Sequence, residues 1–321
     1  MTLMRRVLRL LLAVPLTACG GGGGGGNNAA LLEEEARGIP WELLSGKIVY
    51  ARWENPTSPG NEHGRIFLID VAARKIRLIY DVPIVNPAPS FESFGWVRDL
   101  AIHPDGTSVT FAARDPAHGT WWELHDLSLS DGTQRLLYPE ANAHHLYPSW
   151  SRDGHLAYMS SADVRKTVDV DGTGRIEGSN DSRVAWTGSG TMFVSLVDPN
   201  SSQGNLYLAD ATAQTRRPIL VNSQPQWDAE IFDSPALSPD GRKLAYVRWG
   251  LGVQEDVWVA DADGTNRVRL TTEGAWQPAW SADSRKVLFT RLQSGIFLVD
   301  TATGTLTQVT QHQADYVAWA P

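Results

Sequence analysis

The sequence predicts an all-β protein assembled from one repeated four-stranded unit, and three observations carry that expectation. First, a short apolar line closed by a tight turn keeps returning: DLAIHPDG at 99–106, YPSWSRDG at 147–154, RVAWTGSG at 183–190, SPALSPDG at 234–241 and QPAWSADS at 277–284. Its anchors are Ile102, Trp150, Trp186, Leu237 and Trp280, joined by Trp319 of the terminal DYVAWAP. They stand 48, 36, 51, 43 and 39 residues apart, scattered about the roughly 40–50 residues of a four-stranded propeller repeat. Second, each line is followed by a strand of period-two character (SVTFAAR, HLAYMSS, TMFVSLV, KLAYVRW, KVLFTRL) and by one that ends in aspartate (WELHD, KTVD, LYLAD, VWVAD, IFLVD). Short apolar runs bounded by Asp-Gly and Gly turns read as strands, and a shorter fourth strand such as TQRLLY or RVRLTT completes the unit. Third, the pair KIVYARW and IFLID at 47–70 has no first strand before it, and DYVAWAP at 315–321 supplies the missing one. The prediction is a six-bladed β-propeller with four antiparallel strands per blade, its ring closed by the C-terminal strand pairing with the N-terminal strands. Such closure leaves no open sheet edge. The copy at 166–182, KTVDVDGTGRIEGSNDS, is the most degenerate.

The ends of the chain read differently. Residues 1–18 carry Arg5, Arg6 and Arg9 ahead of an apolar stretch, Val7 to Leu16, too short to cross a bilayer. That is the pattern of a secretory signal peptide. Cys19 is the only cysteine, so no internal disulfide is available. It follows LTA, and LTAC resembles the lipobox of bacterial lipoproteins, a resemblance that implies lipidation at Cys19 and a membrane anchor through the lipid. Loss of residues 1–18 removes three arginines and no acids, which takes the net charge from −8 to −11. A charge of that sign disfavours nucleic acid and anionic lipid as ligands. Seven glycines and two asparagines follow Cys19, a flexible composition. The expected organisation is a signal peptide over 1–18, a lipidated tether over 19–44, with a helical turn or two in ALLEEEARG, and the propeller over 45–321.

The line ALSPDGRKLAYV…DVWVADADGTNRVRLT resembles the WD40-like repeat of the TolB family and its relatives, which include the propellers of prolyl oligopeptidases. The resemblance covers nearly all of 46–321 and is sharpest over 233–310. It implies a periplasmic or secreted propeller that binds other proteins or peptides. The family carries a separate α/β domain ahead of its propeller, where this chain has the tether. With Gly20 rather than an acidic residue after Cys19, the lipoprotein resemblance implies an outer-membrane anchor facing the periplasm.

Turns between first and second strands, and between third and fourth, are uniformly tight (PDG, RDG, ADS, ADGTN), with Gly, Asp and Asn supplying the backbone conformations such turns need. The other connections are long and irregular, and variable loops on a rigid scaffold are where binding is found. The candidate binding face therefore comprises Trp53, Trp96, Trp121, His144, His145, Trp227, Arg248, Trp249, Glu255 and Trp276, residue types that anchor protein interfaces. The alternative use of the same face is glycan binding, or a metal-dependent lyase or hydrolase. Trp150, Trp186, Trp280 and Trp319 fall in the repeat register and are read as core.

Candidate chemistry is thin. DVDGTGRIEGSN places Asp169, Asp171 and Glu177 as in a calcium loop, but the string superposes on the turn VADADGTNR, so the repeat accounts for these acids without a metal. Asp70, Asp126, Asp169, Asp210, Asp261 and Asp300 recur at the end of the third strand, where a carboxylate caps local amides. His144 and His145 are adjacent and point apart on a strand; with His103 and His312 they make a metal site only if the ring gathers them. No G-x-S-x-G, P-loop, zinc-helix or redox motif occurs. The expectation is a non-enzymatic protein with no cofactor, whose partner is an envelope protein or peptide.

Overall fold

The structure is a computed structural model that describes residues 26–54, 63–83, 97–114, 121–139, 143–161, 167–171, 174–177, 183–187, 191–197, 204–210, 215–222, 230–250, 253–292 and 294–320. It opens with helix α1 (Gly26–Arg37) and a single 3-10 turn at Trp41–Leu43. Among the described residues, everything after that is strand and turn. The first sheet holds β1 (Lys47–Glu54), β2 (His63–Asp70) and β3 (Lys75–Pro83), with the C-terminal strand β24 (Tyr316–Ala320) paired antiparallel to β1, Trp319 opposite Ile48. The second holds β4 (Val97–Ile102), β5 (Ser108–Ala113), β6 (Glu123–Ser128) and β7 (Gln134–Leu137). The third holds β8 (His145–Trp150), β9 (Leu156–Ser160), β10 (Thr167–Val170) and β11 (Gly174–Glu177), so the degenerate copy still builds four strands. Next come β12 (Val184–Trp186), β13 (Thr191–Val197), β14 (Gly204–Asp210) and β15 (Thr215–Leu220). The fifth unit is β16 (Glu230–Leu237), β17 (Lys243–Gly250), β18 (Val253–Asp261) and β19 (Val268–Arg269), and the sixth is β20 (Trp276–Trp280), β21 (Lys286–Arg291), β22 (Gly295–Asp300) and β23 (Leu306–Thr310).

The fourth and fifth units share one sheet through a single parallel pair, Gly204 beside Ile231. A Cβ on Gly204 would lie 2.4 Å from the Ile231 side chain, so only glycine admits that approach. Within every unit the pairing is antiparallel and follows chain order. The first strands are spatial neighbours in the cycle β24, β4, β8, β12, β16, β20, and β20 lies again beside β24.

Strands such as KIVYARW are apolar on both faces because both faces are covered. Ile48 and Tyr50 face Leu288, Leu298 and Val309 of the sixth unit, while the alternate residues Val49 and Ala51 face Val109 and Phe111 of the second. Similar apolar clusters lie between the second and third, third and fourth, fourth and fifth, and fifth and sixth units. Each fully buried Ile, Leu or Phe contributes about 1.5–3 kcal/mol, and no unit could bury both of its faces alone.

The N-terminal segment joins this core. Ile39 and Leu44 are buried in the cluster between the sixth and first units, and Leu32, Ala36, Trp41 and Leu43 pack against it. The Glu35 side chain, 3% exposed, accepts a hydrogen bond from the Tyr50 hydroxyl at 3.1 Å and lies 3.7 Å from the Arg52 guanidinium. Lys286 Nζ donates to the Leu43 carbonyl at 3.1 Å and Trp319 Nε1 to that of Ser45 at 2.7 Å. Residues 30–44, expected as the end of the tether, are thus held against the seam between the first and last units.

Candidate functional site

All six first strands line one cavity of about 310 Å³. Each strand runs from a long connection toward a tight turn, so its residues sort by depth. At the tight-turn end stand the anchors Ile102, Trp150, Trp186, Leu237, Trp280 and Trp319. One residue earlier every strand has a small side chain: Ala101, Ser149, Ala185, Ala236, Ala279 and Ala318. The indoles staple neighbouring units together: Trp186 Nε1 donates to the Ser149 carbonyl at 2.8 Å, Trp280 Nε1 to that of Ala236 at 2.9 Å, and Trp150 Nε1 to Thr110 Oγ1 at 3.0 Å. Trp280 is core as expected, 6% exposed. Trp150, Trp186 and Trp319 are only half-buried, because one side of each faces the cavity.

The opposite end of the cavity is polar. Three residues before the anchors come Asp99, Tyr147, Arg183, Ser234, Gln277 and Tyr316. At four of these positions the first strand carries a register shift against the second. The residue in the bulge has a left-handed backbone: Asp99 φ 56°, Tyr147 56°, Ser234 49° and Gln277 53°. Proline follows at 148, 235 and 278, where a bulge spares it a ladder donor it does not have.

The polar end forms one network. Arg98 Nε donates to Asp99 Oδ2 at 2.8 Å, and an Arg98 terminal nitrogen donates to the Tyr147 hydroxyl at 3.3 Å. Arg183 lies 3.2 Å from Asp233 Oδ2 and 3.6 Å from Asp99 Oδ1, with its guanidinium 4.3 Å above the Tyr147 ring. One arginine of the fourth unit therefore touches the second, third and fifth. Burial works against the charge on Arg183, but Asp233, Tyr147 and Asp99 outweigh it and hold the guanidinium above its usual range. The same contest, with Asp99 the main opposing partner, raises Arg98. Burial raises the Tyr316 phenol, and the nearby Arg98 only partly offsets it.

None of these residues belongs to the face read from the sequence. Trp96 and Trp227 lie outside the described residues, as does Cys19, and of Trp53 only the backbone, opposite Gly64, is described. Trp121 is half-buried with its ring 4.7 Å from that of His144, whose Nδ1 accepts from the Trp122 amide at 3.1 Å. His145 points the other way, 2% exposed and edge-on to Tyr158. A second group gathers on the fifth and sixth units. Both Glu230 oxygens accept from Arg248, which lies 4.8 Å over the Trp258 ring. Trp249 and Trp276 pack against the core between those units, and the Glu255 carbonyl accepts from the Ala275 amide at 2.8 Å.

The calcium-like string is a hairpin. Asp169 is opposite Arg175 and Thr167 opposite Glu177, on facing strands. The Asp171 carboxylate accepts from the Leu156 amide at 2.8 Å and meets His155 Nδ1 at 2.6 Å. Among the strand-end aspartates, Asp70 and Asp300 cap turn amides, while Asp126 and Asp261 pair with Arg135 and Lys243.

The missed residues had one signal. Positions three before the anchors are polar or aromatic in every copy, yet they hold five residue types in six copies, so the pattern that marks repeats passes over them.

Comparison with known proteins now identifies the class. No family model and no curated protein matches the sequence. Among solved structures, TolB from Acinetobacter baumannii superposes with a TM-score of 0.68 at 17% identity, covering 94% of this chain and 74% of its own. The putative TolB from Agrobacterium tumefaciens gives 0.59 at 16% identity, covering 84% and 89%. Hydrazine synthase of Kuenenia stuttgartiensis gives 0.61 at 12% identity, covering 83% of this chain and 45% of its own. The protein is an all-β chain of the β-propeller class. Within that class its fold is TolB-like, as the repeat resemblance led one to expect. Likeness at these identities speaks for the fold and carries no activity.

Proposed function

We propose that the six four-stranded units form a closed six-bladed ring, anchored in the bacterial envelope by lipid on Cys19, whose long-loop face binds an envelope protein or peptide without catalysis. The cyclic order of the first strands, the pairing of β24 with β1 and the cavity common to all six units support closure. The observation that carries the binding reading is the pre-organised group on the fifth and sixth units. Arg248 is clamped by Glu230 over Trp258, and Trp249 and Trp276 are seated beside it on the core. Arginine and tryptophan already held in place lose little side-chain freedom on association, and they are the types that dominate interface energetics. On this reading residues 1–18 are removed, residues 20–25 give reach, and the ring faces the periplasm from the outer membrane.

The test is crosslinking in cells with photo-reactive residues at Val268 and at Glu255, one on the outermost strand of the fifth unit and one on the candidate face. Adducts formed from position 255, absent from 268 and lost in Arg248→Ala/Trp276→Ala support the reading. Adducts indifferent to the double variant refute it. Replacing Cys19 with Ser should release the protein from the membrane fraction, and its retention there would remove the lipid anchor.

A further inference from the structure

The polar end of the cavity lies on the long-connection side of the strands but is built from residues outside the loop-face set, and it does not rest on the reading above. Its charge is balanced: Arg98 and Arg183 meet Asp99 and Asp233. Its hydrogen bonding is unfinished. Ser234 is 6% exposed and its hydroxyl has no hydrogen-bond partner among the described residues; Asp99 is 4% exposed and its Oδ1 has none either, with Arg183 standing off at 3.6 Å. Gln277 lines the same cavity with an amide that can both donate and accept. An unsatisfied buried polar group is destabilising, and four non-glycine residues at positive φ add backbone strain. Strain and open valences converge on one spot.

The balance of charge selects the ligand. A net anion or cation entering here would bring a charge with no counterpart to a network whose own charges are already paired, which is unfavourable. A neutral molecule with several hydroxyls meets no such penalty. Each hydroxyl donates once and accepts twice, which suits a carboxylate oxygen, a serine hydroxyl, a primary amide and a guanidinium edge set around one space. About 310 Å³ lies at the low end of the roughly 300–1,000 Å³ of small-molecule sites and favours a single ring over a chain of them. We propose that the polar mouth formed by Asp99, Arg183, Ser234 and Gln277 binds a neutral sugar ring.

Saturation-transfer NMR on the full-length protein tests this with four probes: glucose and N-acetylglucosamine as neutral rings, glucosamine and glucuronate as charged counterparts. The neutral sugars should receive saturation at millimolar concentration, the charged ones about tenfold less. Ser234→Ala and Gln277→Ala, each removing a hydrogen bond, should weaken neutral binding about 3- to 10-fold, with an unchanged melting temperature showing that the fold is intact. The Arg248→Ala/Trp276→Ala variant should bind sugar normally, which separates this site from the loop face. The proposal is overturned by preference for a charged probe, by equal binding in the two cavity variants, or by no saturation of any sugar, which would leave the mouth to water.

Discussion

The two ends of the central cavity are built from the same strands and obey different rules. At the tight-turn end the side chains repeat: an indole or aliphatic anchor, a small neighbour, and indole N–H donors that reach the unit next door. At the long-connection end the copies differ except for a tyrosine that two of them share, the backbone is bulged in four units, and charged groups of the second, fourth and fifth units form one network with Tyr147 of the third. Every unit meets the same neighbour at the first end, so one solution serves six times. The second end has a single axis to share, and six identical residues there would repel or leave a void. Uniformity marks what holds the units together, and diversity marks what they present.

Substitutions can break that contrast. The largest effect is expected for Trp280→Ala. It opens a cavity between the fifth and sixth units and orphans the Ala236 carbonyl, and should cost about 3–5 kcal/mol. Chemical denaturation would show it, and a loss under about 1 kcal/mol would mean the indole is not a staple. Asp99→Asn keeps the shape but leaves Arg98 and Arg183 with one carboxylate between them, at a cost of about 2–3 kcal/mol. A neutral result would mean that water already solvates the network.

Acid should act on the carboxylates of the tight turns. The Thr107 hydroxyl and amide draw Asp105 down to about 2. Asp240, Asp263 and Asp283 are lowered, chiefly by hydroxyls of Ser238, Thr265 and Ser281, and Asp300 by the Thr303 amide. A carboxylate with a depressed folded pKa contributes stability above its unfolded value of about 3.9 and loses it as pH falls through the folded value. The melting temperature should hold from pH 6 to about pH 4 and decline toward pH 2, and Asp105→Asn should flatten that decline slightly. The smallest effect is expected for Ser234→Ala, which deletes a buried hydroxyl with no partner among the described residues and should leave stability unchanged or raise it by about 1 kcal/mol. A large loss would show that Ser234 is structural.

Much of the scaffold was legible. The first-strand lines, the aspartate-terminated third strands and the use of DYVAWAP to complete the opening sheet all correspond to observed strands and pairings. The divergence of His144 and His145 followed from strand geometry alone. Two things were not legible. Half-exposure of Trp150, Trp186 and Trp319 depends on an opening that exists only when six units surround it. Burial of Glu35 beside Tyr50 and Arg52 depends on a helix finding the seam between units that are far apart in the chain.

Local chemistry settled the strands, turns and repeat of this protein: alternation and Asp-Gly punctuation act over a few residues, and a period of some forty residues survives any reasonable loop variation. The sequence also contained every member of the polar mouth, Asp99, Arg183, Ser234 and Gln277, but as four unlike residues separated by whole units. Their assembly belonged to the tertiary structure alone. Electrostatic pairing between Arg183, Asp99 and Asp233 works over about 4 Å and is indifferent to chain distance, so only the packing of six units could bring those charges together.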